Sequence, residues 1–134
     1  MVKKAHPLDE SCPCGSGAPL ADCCEPLLAG AVSAATAEAL MRSRYTAYAL
    51  GREAYLLASW HPSTRPASLQ LEQAPQPRWI GLEVKRHVVL DDAHAIVEFV
   101  ARCRIGGRAS RMREVSRFVR EAGRWYYVGE DPAA

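Results

Sequence analysis

The chain has 134 residues, of which 49% are hydrophobic and 24% charged, with a formal net charge of +2 at pH 7. That length accommodates one ordinary domain with a small appendage, and the apolar fraction suffices for one main core. No stretch approaches the roughly 18 apolar residues of a membrane span, and Met1 to Glu10 lack the apolar run of a signal peptide, so a cytoplasmic protein is expected.

Cysteines dominate the front of the chain. Cys12 and Cys14 flank a single proline, and Cys23 and Cys24 are adjacent. Neither close pair can form a relaxed disulfide, whereas a tetrahedral ion gathers four thiolates within a few ångströms. The spacing favours a metal site, with buried free thiols or an oxidised arrangement as the alternatives. Gly15 and Gly17 allow the positive φ angles that a thiolate knuckle needs. Pro19 is expected to open a short helix that carries Cys23 and Cys24 back beside the knuckle, and Pro26 to stop it. Four protein ligands with no open position indicate a structural site; zinc fits first, and iron also suits four thiolates. His6 is a conceivable substitute ligand. A reducing compartment would keep the thiols available.

Leu27 to Ala35 reads as a connection of small residues. Thr36 as N-cap, an early Glu38 and a terminal Gly51 then predict a helix between them. Ala37, Leu40, Met41, Tyr45 and Tyr48 share one face, and Arg44 lies on the same stripe, where it needs a partner. A second helix is predicted at about Arg52 to Trp60, burying Tyr55 or Leu56 with Leu57 and Trp60 and ending at His61-Pro62. One further helical turn is expected within Ser63 to Leu71, and Gln73 to Pro77 is a loop.

Four strand-like runs follow, at about Trp79–Leu90, His94–Ile105, Met112–Arg120 and Arg124–Val128. The short breaks at Asp91-Asp92, Gly106-Gly107 and Ala122-Gly123 imply an antiparallel meander. In the second run Val97, Phe99, Ala101, Cys103 and Ile105 alternate with Glu98, Arg102 and Arg104, so one sheet face is apolar and one wet. Helices covering the apolar face of a curved antiparallel sheet make an α+β roll. The last third of the chain is basic: Arg102, Arg104, Arg108, Arg111, Arg113, Arg117, Arg120 and Arg124 meet only Glu114 and Glu121. Either this is a surface for phosphate, nucleic acid or an acidic partner, or it is a solvated outer face.

A roll of this kind encloses a cavity between helices and sheet. Its candidate lining is Arg44, Tyr45, Tyr48, Trp60, His61, Trp79, Glu114, Trp125 and Tyr127. His61 with Glu114 would make an acid/base pair if they met. In the structural reading, favoured over it, Arg44 and Glu114 form a buried ion pair, the aromatic residues are core and His61 caps a helix end. No catalytic residue is assigned. His87 and His94 stand alone, and Cys103 packs as a small hydrophobe.

Cys-Pro-Cys-Gly-Ser-Gly with a later Cys-Cys resembles the SEC-C motif, a zinc-binding module. The stretches Ala37 to Tyr48, Trp60 to Pro66, Ser116 to Arg120 and Gly123 to Val128 resemble the YchJ family of uncharacterised bacterial proteins. The resemblance covers nearly the whole chain. It implies a nuclear-transport-factor-2-like (NTF2-like, cystatin-like) roll over residues 31–134, a SEC-C-like metal module over residues 1–30, and Cys12, Cys14, Cys23 and Cys24 as metal ligands. The leading expectation is a metal-stabilised module that binds an unknown macromolecular partner, protein or nucleic acid. The rival is a small-ligand binder or enzyme using the roll's cavity. A homodimer is a third possibility.

Overall fold

The computed structural model describes residues 7–73 and 75–132. His6 lies outside them. Two 3-10 turns, Pro7–Asp9 and Leu20–Asp22, precede three helices, α1 (Glu25–Leu28), α2 (Ala37–Leu50) and α3 (Glu53–Ala58). Four strands follow, β1 (Arg78–Asp91), β2 (His94–Ile105), β3 (Arg108–Glu121) and β4 (Arg124–Glu130). They form one antiparallel sheet in the order β1-β2-β3-β4.

The ends of α2 are set by local chemistry. The Thr36 hydroxyl accepts the Ala39 N–H at 3.0 Å, and Gly51 closes the helix at φ 73°, a left-handed conformation that only glycine adopts without strain. α3 is shorter than the sequence suggests. Beyond Ala58 the Ser59 hydroxyl turns back onto the carbonyls of Tyr55 and Leu56, and the chain leaves the helix. The helical turn expected within Ser63 to Leu71 is absent. Instead the Tyr127 N–H of β4 donates to the Ser59 carbonyl at 2.9 Å and the His61 N–H donates to the Tyr127 carbonyl at 2.8 Å, which draws this segment out along the strand.

Pro26 also acts opposite to expectation: it lies in the first turn of α1 and helps start that helix. A proline is tolerated there because the first turn's N–H groups have no intrahelical acceptor to lose. β3 begins at Arg108, ahead of the expected Met112. Gly106 and Gly107 both have positive φ, 57° and 81°, so a tight turn brings Arg108 directly opposite Ile105.

The two sheet faces differ as the alternation requires. Ala95, Val97, Phe99, Ala101 and Phe118 are buried on the inner face, under Leu40, Met41 and Tyr45 of α2. Full burial of a side chain such as Phe118 contributes about 1.5–3 kcal/mol. Ile105, expected on the apolar face, is 38% exposed at the hairpin tip. Cys12, Cys14, Leu20 and Cys24 belong to the same core cluster as α2 and the sheet. The cysteine segment is therefore packed into the roll rather than tethered beside it.

Candidate metal centre

The knuckle is built by backbone hydrogen bonds. Cys12 N–H donates to Ala18 at 2.9 Å and Gly15 N–H to Cys12 at 3.1 Å, while Gly15 and Gly17 adopt φ angles of 79° and 88°. A side chain at Gly15 would also bring its Cβ to 3.4 Å from the Leu82 carbonyl oxygen, so the knuckle lies tight against β1. The turn Leu20–Asp22, whose Cys23 N–H donates to Leu20 at 3.1 Å, then returns the chain, and Cys24 caps α1.

These turns bring the Sγ atoms of Cys12, Cys14, Cys23 and Cys24 within 4.8 Å of one another. Cys14 and Cys23 are 3.6 Å apart at sulfur, and Cys23 and Cys24 3.9 Å. A disulfide would require about 2.05 Å. A tetrahedral zinc ion with Zn–S bonds of about 2.3 Å places its sulfurs about 3.8 Å apart, the spacing seen here. All four cysteines are free; Cys12, Cys14 and Cys24 are buried and Cys23 is half-buried. Among the described residues no other group of three or more potential ligands occurs. These four thiols can hold a metal ion.

Electrostatics point the same way. Sulfur–hydrogen donation from Cys12 and Cys24 pulls the Cys14 pKa far below the ordinary thiol value. Cys24, which supplies such donation and is buried, is pushed far above it, and burial raises Cys23. In a cluster this tight, ionising one sulfur holds protons on its neighbours. Four thiolates can coexist only around a cation.

The residues around the sulfurs were not legible as site residues. Thr46, fully buried on α2, donates to Cys24 Sγ at 3.3 Å and lies 3.5 Å from Cys12 Sγ. Ser16 Oγ is 3.1 Å from Cys23 Sγ, and Arg42 Nη1 donates to the Cys14 carbonyl at 2.8 Å. Nothing in the sequence singled out Thr46, which lies across α2 from the apolar stripe.

The roll's expected cavity is nearly filled. About 50 Å³ remains, lined among others by Arg44, Tyr45, Glu114 and Tyr127. That volume suits a water or two, against the roughly 300 Å³ at which small-ligand sites begin. Tyr48 and Tyr45 pack on Trp79 at ring distances of 6.1 and 5.8 Å, and Trp60 packs on Tyr127 at 4.9 Å. Trp125 lies instead beside a separate cleft of about 320 Å³ between α1, α3 and β4.

The expected Arg44–Glu114 ion pair is not formed. Arg44 is 5% exposed and donates to the Leu56 carbonyl at 2.7 Å and Ser59 Oγ at 2.6 Å. Its guanidinium lies over the rings of Tyr127 and Trp60, at 4.5 and 5.0 Å. Glu114 accepts from Ser116 and from the Tyr127 hydroxyl at 3.2 Å. Burial, reinforced by that carboxylate, raises the Tyr127 pKa.

His61 does not meet Glu114 either. Its Nε2 lies 2.8 Å from Glu121, and its Nδ1 lies 2.7 Å from Ser63 Oγ. The order Ser63–His61–Glu121 has the outline of a hydrolytic triad, but the Ser63 N–H donates to the same Nδ1 at 3.1 Å, and both Ser63 and Glu121 are exposed. With Thr64 Oγ1 donating to the Val128 carbonyl at 2.6 Å, this group fastens the turn to β4.

Comparison with known proteins matches both parts of the chain. A family model described as "YchJ, middle NTF2-like domain" matches residues 36–130, and the SEC-C motif matches residues 10–26. A UPF0225 protein of Chromobacterium violaceum is 62% identical over 122 residues, covering 88% of this chain and 90% of that protein. One from Polaromonas naphthalenivorans is 53% identical over 132 residues, covering 90% and 96%. The solution structure of a SEC-C motif containing protein from Rhodopseudomonas palustris is 37% identical with a TM-score of 0.81, covering 91% of this chain and 98% of that one. The crystal structure of a SEC-C motif containing protein from Psychrobacter arcticus is 29% identical with a TM-score of 0.78, covering 96% and 84%. No helix among the described residues is long and apolar enough to cross a membrane.

Proposed function

We propose that this chain, which belongs to the YchJ-like UPF0225 family, is a cytoplasmic interaction protein whose front is fastened by one structural zinc ion. The observation that carries this reading is the convergence of four free thiols, three of them buried, at sulfur spacings suited to a tetrahedral ion. Four protein ligands leave no open position for substrate, so the ion's role is to hold the knuckle against α2 and β1. Five free cysteines fit a reducing compartment. The cavity of about 50 Å³ supports a packed core rather than a chamber for substrate. What the fold offers a macromolecular partner, protein or nucleic acid, is therefore its surface.

Elemental analysis and native mass spectrometry of the reduced protein test the reading. One zinc per chain is expected, with iron the alternative that four thiolates also accept. A folded, reduced sample that carries neither metal overturns it.

A further inference from the structure

The outer face of the sheet collects the basic residues. Strand register places Arg78 opposite Arg104, Gly81 opposite Arg102, Glu83 opposite Val100 and Arg86 opposite Glu98. On the other side of β2, Arg102 faces Arg111 and Val100 faces Arg113. Residues paired in register share a face, so these six arginines lie on one surface, and all are exposed.

Two carboxylates serve that surface. Glu83 takes Lys85 at 2.8 Å and Arg102 at 3.9 Å, and Glu98 takes Arg113 at 2.7 Å and Arg86 at 3.3 Å. Among the described residues, Arg78, Arg104 and Arg111 have no carboxylate within 4.0 Å. Ordinary solvation of an outer face does not call for this arrangement: like charges directly opposite across strands cost stability, and two such pairs, Arg78–Arg104 and Arg102–Arg111, stand side by side. An anion lying on the surface would relieve that repulsion.

From this geometry we infer that the outer sheet face binds the phosphate backbone of double-stranded nucleic acid. The cations stand on a rigid grid, about 4.8 Å between strands and about 6.7 Å between alternate residues of one strand. Three strands present them in neighbouring rows, a continuous strip of positive charge along which a phosphate backbone can lie. Trp79, Trp125 and Tyr127 pack toward the core, so bases would find no aromatic platform here. Recognition is then by charge and independent of sequence. The surface is separate from the thiols, which pack with the inner face, although it deepens the interaction reading by naming a partner class.

The test is fluorescence anisotropy of the full metal-loaded chain with a labelled RNA duplex of about 20 base pairs, from 50 to 200 mM KCl. Affinity should fall steeply with salt. Arg102→Gln/Arg111→Gln should lower the slope of log affinity against log salt by about 2 and weaken binding about tenfold or more at the lowest salt. It should melt no lower than the parent, because a repulsive pair has been removed; should it fail to fold, Arg111→Glu, able to pair with Arg102, serves instead with the same expected loss. Arg65→Gln, on the loop after α3, should bind as the parent does. An unchanged slope in the Arg102/Arg111 variants, or equal binding to a single strand of the same length, would overturn the inference. So would binding to poly-glutamate or anionic vesicles without binding to the duplex. Metal content is measured separately, so failure here leaves the zinc reading standing.

Discussion

Arg44 and the four thiols are both buried chemistry, and they are completed in different ways. The Arg44 guanidinium finds two oxygen acceptors and two aromatic faces within the chain. Each contact compensates part of its desolvation, so the chain's own groups hold the charge even though burial lowers its pKa. The thiols receive Thr46 and Ser16, yet the described residues place no cation among the four sulfurs, and a charge on one is held largely by its neighbours' protons. Burial alone therefore does not mark a ligand site. The useful distinction is whether the protein's own groups finish the electrostatics.

Removing the ion should have the largest effect. Cys14→Ser, or chelation of the reduced protein, should lower stability by several kcal/mol, since structural zinc contributes on the order of 10 kcal/mol in small zinc-dependent folds. Because Cys14 is part of the roll's own core, calorimetry should show one transition moving down as a unit. A roll that melts unchanged after the front has loosened would contradict the shared core.

Arg44→Met should come next, at about 2–4 kcal/mol in urea unfolding, since it removes the guanidinium's donation to the Leu56 carbonyl and Ser59 hydroxyl together with its contacts on the Trp60 and Tyr127 rings. It should leave metal content unchanged. Metal loss in this variant would show that the two sites are not independent.

Thr46→Val keeps the shape and removes the hydroxyl. Competition with a chelator should reveal metal affinity reduced about tenfold, with about 1 kcal/mol lost in stability. An unaltered affinity would mean that the thiols need no help from α2. The smallest effect is expected for Glu121→Gln, below about 1 kcal/mol by thermal melting, because its pairing with His61 is largely exposed.

Legibility in the sequence followed how local the determining interaction was. Thr36 and Gly51 announced α2 because a cap is a contact within one turn, and the glycine pair at Gly106 announced a hairpin because two positive φ angles suffice to reverse a strand. The four cysteines were legible as a group since a short stretch holds them all. Pro26 was misread because proline stops one helix and starts another by the same geometry, and only the neighbouring turn decides. The partners of His61 and Arg44 could not be read at all. Glu121 is sixty positions from His61, and Arg44 is answered by a carbonyl and by ring faces, groups that every sequence contains. Thr46 was hidden for the same reason: it lies across the helix from the apolar stripe, and nothing local points to the distant sulfurs it meets.

The strap from Ser59 to Thr64 along β4 has one more effect. It occupies hydrogen-bonding groups that a terminal strand would otherwise present to a neighbouring molecule. At the opposite rim, β1 is interrupted by register shifts at three points, so it offers no long straight template. Both rims of the sheet are therefore poor templates on which a further strand could be laid.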